Sequence, residues 1–182
     1  MKNKSNVYQM TIIGVMAAVM CTLGPLSIPI GVVPISFTNL AIYIVLYTLG
    51  MKKGTFSYLI YMLIGFAGLP VFSNYGSGPS KLFGPTGGYI IGFIFMSLIA
   101  GFFIDKYSDK WYLCFAGMVL GTAVCYSFGT TWLSYQANLS ASKALSVGVI
   151  PFIPGDLVKI LISTFIGPQI RKRLIKANLF HV

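Results

Sequence analysis

Residues 84–104, GPTGGYIIGFIFMSLIAGFFI, contain no charged side chain. About 20 apolar residues in a helix cross the hydrocarbon core of a bilayer, so this stretch predicts a membrane-spanning helix. The rest of the chain has the same character, because 56% of its 182 residues are hydrophobic and only 9% are charged. Soluble domains carry about 25% charged residues. The composition therefore predicts an all-α integral membrane protein that forms a single domain, residues 1–182.

Apolar runs on both sides of this helix, charge-free in four cases and with one charged pair in the last, predict five further spans. No charged residue occurs between Lys4 and Lys52, a stretch that is too long for one crossing. Pro25, Pro29 and Pro34 lie in its middle and divide it into two helices. The six predicted helices cover residues 6–24, 36–51, 55–72, 84–104, 111–133 and 144–170. An even number of spans places both termini on the same side of the membrane.

The basic residues indicate which side that is. Ten of the 13 Lys and Arg residues fall in the termini or in the turns on the terminal side, and three, Lys81, Lys143 and Lys159, fall on the opposite side. Cytoplasmic segments carry the excess of Lys and Arg, so both termini are predicted to be cytoplasmic. The same arrangement accounts for the net charge of +10. Since no basic patch is interleaved with exposed aromatic residues, the sequence does not favour nucleic-acid binding.

The three connections on the opposite side are polar, nearly uncharged and rich in Gly, Pro, Ser and Asn. They are GPLSIPIGVVPIS at 24–36, SNYGSGPSKLF at 73–83 and SYQANLSASK at 134–143. Irregular backbone at membrane depth is tolerated where it is buried in protein or lines a cavity. These connections therefore favour a binding site open to the outside, with plain solvated connectors as the alternative.

One pair of charged residues lies where charge is costly. The stretch VIPFIPGDLVKIL, residues 149–161, contains Asp156 and Lys159, and helical spacing places both on one face with Ser163. Ionisable residues within a membrane segment are functional candidates by default. Two structural readings remain open: Asp156 caps the start of a helix, or the two residues form only a structural ion pair. The capping reading does not account for Lys159.

The remaining ionisable residues do not support acid–base catalysis or a metal site. The single histidine, His181, is the penultimate residue, and no carboxylate accompanies Asp156 for paired acid–base work. Asp105 and Asp109 fall in a predicted cytoplasmic turn beside lysines, where we expect a solvated turn of mixed charge. The cysteines lack metal-ligand spacing, so no catalytic residue, metal site or cofactor is predicted. No GxxxxGK[ST] phosphate loop occurs, so transport would need a partner for energy.

Three motifs in order, GLPVF at 68–72, GPTGGYIIGF at 84–93 and IPGDLVK at 153–159, resemble those of the BioY family. This family comprises the biotin-specific substrate-binding (S) subunits of energy-coupling factor (ECF) transporters. The resemblance implies a six-helix subunit in the prokaryotic cell membrane that captures biotin with high affinity from the outer side. It also implies two kinds of partner, a transmembrane coupling subunit and a pair of ABC ATPases.

The resemblance also implies roles for individual residues. The biotin-contacting aspartate and lysine of the third motif correspond to Asp156 and Lys159, and a polar residue after GLPVF corresponds to Asn74. The docking motif of the first helix corresponds to Gly14 and Ala18, with glycine in place of the usual first alanine. Packing within the chain is the alternative for these two small residues. Further candidates for the walls and polar groups of the site are Tyr89, Thr86, Lys81, Phe37, Tyr75 and Phe152.

Two other functions stay open at this point. The chain can be an S subunit for another vitamin or vitamin precursor. It can also be a membrane scaffold subunit without transport activity, in which Asp156 and Lys159 only stabilise the fold. An intramembrane enzyme is disfavoured because the acid–base groups are missing.

Overall fold

The computed structural model describes residues 2–29 and 32–177, so His181 lies outside the described part. This part of the chain folds into seven α-helices, and the prediction of an all-α protein is confirmed. A hairpin of two-residue strands, β1 (Ser27–Ile28) and β2 (Ile35–Ser36), and a 3₁₀ turn, Ser73–Tyr75, complete it. The helices are α1 Lys2–Leu23, α2 Thr38–Phe66, α3 Gly78–Leu82, α4 Gly87–Lys106, α5 Trp111–Gln136, α6 Ala141–Gly148 and α7 Ile153–Lys176.

The long apolar helices are of the kind that cross a membrane. Within the described residues, α4 and α5 are each long and apolar enough to do so, and α6 with α7 forms a third such segment. The last segment bends by 49° between its two helices, near the beginning of the span predicted for residues 144–170, where Pro151 and Pro154 are expected to interrupt it. Pro151 and Pro154 lie at this bend, and the residue before a proline disfavours helical geometry.

Helix α2 contains two of the predicted spans, joined without a loop. Gly50 breaks the helix with φ 77° and ψ 177°, a conformation that glycine adopts without a side-chain clash. The helix resumes at Met51 and ends at Phe66, six residues before the predicted end. Gly68, with φ 110°, follows this end, and Pro70 cannot continue a helix. The two predicted helices, 36–51 and 55–72, are thus two halves of one broken element.

Asp105, at the end of α4, stabilises the break in α2. One oxygen of its carboxylate accepts the backbone N–H of Met51 at 2.7 Å, and the other lies 3.1 Å from Arg171 Nη1. Arg171 is 8% exposed, belongs to α7 rather than to a tail, and also donates to the Ile104 carbonyl at 3.3 Å. Asp105 is exposed, as expected for a solvated turn, with 38% of its side chain accessible, but the sequence did not indicate its bonds to Met51 and Arg171. Three helices are connected at this end by one carboxylate.

We expect Asp105→Ala to lower the free energy of unfolding by about 2–3 kcal/mol. The change removes an acceptor from the start of the second half of α2 and a carboxylate from a buried guanidinium. Chemical denaturation of the purified protein in detergent measures the effect. Asp109→Ala, which removes an exposed carboxylate from the same turn, should stay within about 0.5 kcal/mol of the parent protein. Equal effects of the two substitutions would contradict this assignment.

Helices α2, α4 and α5 pack closely against one another. A Cβ on Gly92 would lie 3.0 Å from the Cys125 Cα, so α4 and α5 approach each other at backbone distance here. Tyr43 of α2 is fully buried, and its hydroxyl lies 2.6 Å from that of Thr122 on α5. The Tyr58 hydroxyl donates to the Ile90 carbonyl of α4 at 2.7 Å. These contacts hold α2, α4 and α5 in fixed positions around a common space.

Candidate functional site

A cavity of about 720 Å³, its open mouth included, lies inside one end of the bundle. Its lining comes from the hairpin side of α2, the first turns of α4, the middle of α5 and the first turns of α7. Cavities with apolar walls and a few polar groups are typical sites for small organic ligands. Helix α4 is about 30 Å long, so this end lies far from the Asp105 end of the same helix.

Asp156 and Lys159 line this cavity and contact each other. Lys159 Nζ lies 2.9 Å from Asp156 Oδ1. Lys159 is 7% exposed and Asp156 is 9% exposed. Lys159 also donates to the Ser36 carbonyl of β2 at 2.7 Å. The Tyr126 hydroxyl of α5 donates to Asp156 Oδ2 at 2.6 Å. These hydrogen bonds compensate the cost of burying the two charges. The lysine keeps one N–H, and the carboxylate keeps lone pairs, for a ligand.

Tyrosine rings form much of the apolar wall. The hydroxyl of Tyr61 donates to the Val71 carbonyl at 2.9 Å, and that of Tyr89 donates to the Gly148 carbonyl at 2.8 Å. The Tyr58 hydroxyl likewise donates to a backbone carbonyl, that of Ile90 in α4. Since their polar atoms bind the protein, these residues present ring surface to the cavity. Such a wall suits a compact apolar body.

The position of Tyr89 depends on a glycine of α5. A Cβ on Gly129 would lie 2.2 Å from a ring carbon of Tyr89, far inside van der Waals contact. We expect Gly129→Ala to displace the ring and to lower the free energy of unfolding by about 1–3 kcal/mol. The control is Gly155→Ala, because an added Cβ there meets no atom within 4 Å. Thermal unfolding in detergent compares the two; a loss of stability confined to Gly155→Ala would refute the packing argument.

The predicted site residues fall into two groups. Thr86 and Tyr89 line the cavity together with Asp156 and Lys159. Asn74 and Lys81 lie outside the lining. The backbone N–H of Asn74 donates to Ser27 Oγ at 2.7 Å, and the Ser27 hydroxyl donates to Asn74 Oδ1 at 2.6 Å. Asn74 therefore connects the 3₁₀ turn to β1 at the edge of the site.

Lys81 lies in α3, beside this turn. A Cβ on Gly76 would approach the methylene carbons of Lys81 at 2.9 Å, so the lysine stem packs against the turn. Burial lowers the pKa of the Lys81 amine. Among the predicted wall residues, Phe152 lines the cavity. Phe37 and Tyr75 do not; they are 40% and 66% exposed, and the Phe37 ring lies 5.9 Å from Lys159 Nζ.

Sequence reasoning missed several polar residues of the lining. Ser36 ends β2, and Thr38 and Asn39 begin α2; all three line the cavity, and their polar side chains in an otherwise apolar stretch are the sequence signal for them. Tyr126 is 30 residues before Asp156. No local pattern indicates that its hydroxyl reaches this carboxylate.

Helix α1 presents Gly14 and Ala18 away from the bundle. Gly14 and Ala18 are exposed on one face, and a Cβ on Gly14 would meet no atom within 4 Å. Ala17 and Met20, at 1% and 0% exposed, form the face that packs on the bundle. The packing alternative for Gly14 is therefore wrong within the described part of the chain.

Comparisons with known proteins agree with this architecture. The sequence pattern of the BioY family matches residues 1–176. A biotin transporter BioY2 of Lactococcus lactis is 33% identical over 96% of this chain and 96% of its own length. A biotin transporter BioY of Thermotoga maritima is 36% identical over 87% of this chain and 93% of its own. The crystal structure of an S-component for biotin from an ECF-type ABC transporter superposes with a TM-score of 0.85 at 33% identity, covering 94% of this chain and 95% of the other.

Proposed function

Because the chain belongs to the BioY family, we propose that it captures biotin as the S component of an ECF-type ABC transporter. It is a membrane protein of a transport family and not an enzyme. The observation that carries the proposal is the buried pair of Asp156 and Lys159 in a cavity with tyrosine walls. A helix cap or a purely structural pair does not require an adjoining cavity.

The chemistry of the cavity complements biotin. The ureido ring of biotin offers two N–H donors and a carbonyl oxygen, its bicyclic body is apolar, and its tail ends in a carboxylate. Asp156 is the group that accepts from a ureido N–H, because it would repel the tail carboxylate. Lys159 donates to an oxygen of the ligand, and Tyr89 covers the apolar body. We assign the hydroxyl of Thr86 to the tail.

Asn74 and Lys81 act at the edge of the site in this proposal. Asn74 is bonded to Ser27 of the hairpin through two hydrogen bonds, and Lys81 packs against the turn that holds Asn74. Both therefore keep the segment between α2 and α4 next to β1. Their expected contribution is to the shape of the entrance, and Lys81 adds a positive charge that attracts the anionic ligand.

The proposed topology has six spans: α1, the two halves of α2, α4, α5, and α7 with α6 leading into it. The break in α2 carries Lys52 and Lys53, and the turn between α4 and α5 carries Lys106 and Lys110. These basic turns lie at the opposite end from the cavity, which supports cytoplasmic termini and an outward-facing site. The compartment proposed for the chain is the cell membrane of a prokaryote.

The proposed partners are a transmembrane coupling subunit and two ABC ATPases, which supply the energy. The surface expected to bind the coupling subunit is the exposed face of α1 around Gly14 and Ala18. Small residues let helices from two proteins approach closely within a membrane. The open space around Gly14 supports this use of the face.

Calorimetric titration of the purified chain with biotin tests the proposed function. We expect saturable 1:1 binding, lost in the double variant Asp156→Asn with Lys159→Ala. A dissociation constant weaker than about 1 mM, or binding that the double variant leaves unchanged, would refute the proposal. Tighter binding of another vitamin would support the alternative S subunit. Binding of no vitamin would support a scaffold role.

A further inference from the structure

The side-chain amide of Asn39 is buried beside the cavity with its N–H groups unused. Asn39 is 3% exposed and lines the cavity from the first turn of α2. Its Oδ1 accepts the backbone N–H of Leu40 at 3.0 Å, which fixes the oxygen and nitrogen ends of the amide. In the part of the chain that the structure describes, no group accepts a hydrogen bond from Asn39 Nδ2. Because Asn39 lines the cavity and the fold leaves these N–H donors unused, the amide is suited to a bound acceptor.

Several other neutral polar groups of the lining are already engaged, whereas the Thr86 hydroxyl is assigned above to the tail. The hydroxyls of Tyr58, Tyr61 and Tyr89 donate to backbone carbonyls. Thr122 donates to the Met118 carbonyl at 2.8 Å. Among neutral side chains of the lining, the Asn39 amide therefore offers two N–H donors that the fold does not consume.

The charged pair indicates which ligand oxygen Asn39 meets. Asp156 faces a ureido N–H if the proposed function is correct, so the ureido end of biotin lies at the charged pair. Lys159 donates to the Ser36 carbonyl, and Ser36 is three residues before Asn39. Asn39 therefore follows closely in sequence the residue that Lys159 contacts, and both Asn39 and Lys159 line the cavity. In a cyclic urea the carbonyl oxygen lies between the two N–H groups. The ureido oxygen of biotin is therefore next to the N–H group that Asp156 accepts from.

We propose that Asn39 donates a side-chain N–H to the ureido carbonyl oxygen and thereby selects ligands that carry an acceptor at this position. This inference rests on the proposed function and adds the residue that distinguishes biotin from close analogues. A neutral donor suits a neutral carbonyl, since it leaves the charge balance of Asp156 and Lys159 unchanged.

The test compares biotin with 2-iminobiotin, in which a protonated nitrogen that donates replaces the ureido oxygen. Asn39→Asp keeps the size of the side chain and the oxygen that caps Leu40, but it removes both N–H donors. By calorimetry we expect its dissociation constant for biotin to rise about tenfold or more. The preference for biotin over 2-iminobiotin should fall by about tenfold or more, because the new carboxylate attracts the protonated analogue.

Asn138→Asp is the matched control, since Asn138 is exposed in a turn remote from the cavity lining, with φ 50°. It should change neither dissociation constant. Unchanged binding in Asn39→Asp, or an equal loss for both ligands, would overturn the inference and leave Asn39 as a helix cap. If Asn39→Asp does not fold, Asn39→Ser, whose shorter side chain keeps a capping oxygen but withdraws the amide donors, should raise the dissociation constant for biotin more than that for 2-iminobiotin. Failure of the parent chain to bind biotin would instead refute the proposed function.

Discussion

Replacing Lys159 by methionine should raise the dissociation constant for biotin about 100-fold or more and destabilise the fold by about 3–5 kcal/mol. The binding loss follows from removing a charge-assisted donor. The stability loss follows because the buried carboxyl group of Asp156 then lacks its lysine partner and has the Tyr126 hydroxyl as its remaining hydrogen-bond donor among the described residues. Calorimetry and chemical denaturation of the same preparation measure the two effects.

A double variant separates these effects. Asp156→Asn together with Lys159→Met removes both charges, so most of the stability lost in the single variant should return. Biotin binding should not return, because the acceptor and the donor for the ligand are both gone. If the double variant is as unstable as the single one, the cost does not come from an uncompensated carboxylate. If the double variant binds biotin normally, the pair is structural.

Replacing Ala18 by leucine should reduce biotin uptake to background while leaving biotin binding to the isolated chain unchanged. The residue is exposed on the α1 face that also carries Gly14, and the added side chain would keep a partner helix from approaching. Uptake is measured with labelled biotin in cells that express the whole transporter, and complex formation by co-purification of the coupling subunit. Both should fall by about tenfold or more, since a tight helix contact in a membrane depends on small residues.

The control for this substitution is on another helix. Ala123 of α5 is also exposed, and Ala123→Leu makes the same chemical change away from α1. It should leave uptake, co-purification and binding at the level of the parent protein. Equal loss in both variants would point to a general defect in membrane insertion. Normal uptake in Ala18→Leu would place the docking surface elsewhere.

The sequence predicted the apolar helices well because their signal is local. The runs that became α4 and α5 lack charge over a whole span, and the bilayer permits few alternatives for such runs. The break in α2 is predicted between residues 51 and 55 rather than at Gly50, because lysines at 52 and 53 indicate a turn but not its length or exact position. The bond between Asp105 and Arg171 joins residues that are 66 positions apart. Such contacts depend on how whole helices pack, which no local pattern encodes.

The site was predictable to the extent that burial of charge is costly. Asp156 and Lys159 were identified because a membrane segment tolerates such residues only for a reason. Tyr126 was not identified, since a tyrosine in an apolar helix is usual and its partner is on another helix. Asn39 looked like an ordinary residue at the start of a helix. Its unmet N–H groups are a property of the folded cavity, not of the sequence.

The bond from Lys159 to the Ser36 carbonyl has a consequence for the rates of binding. Val33, Pro34 and Ser36 of the hairpin region form part of the cavity lining. The hydrogen bond from Lys159 Nζ therefore holds this part of the lining against α7. A ligand that takes the third N–H of Lys159 leaves this attachment intact. Substitutions that loosen the hairpin should therefore speed entry and exit together. Equilibrium affinity would change little, and the residence time would be set by how often this wall opens.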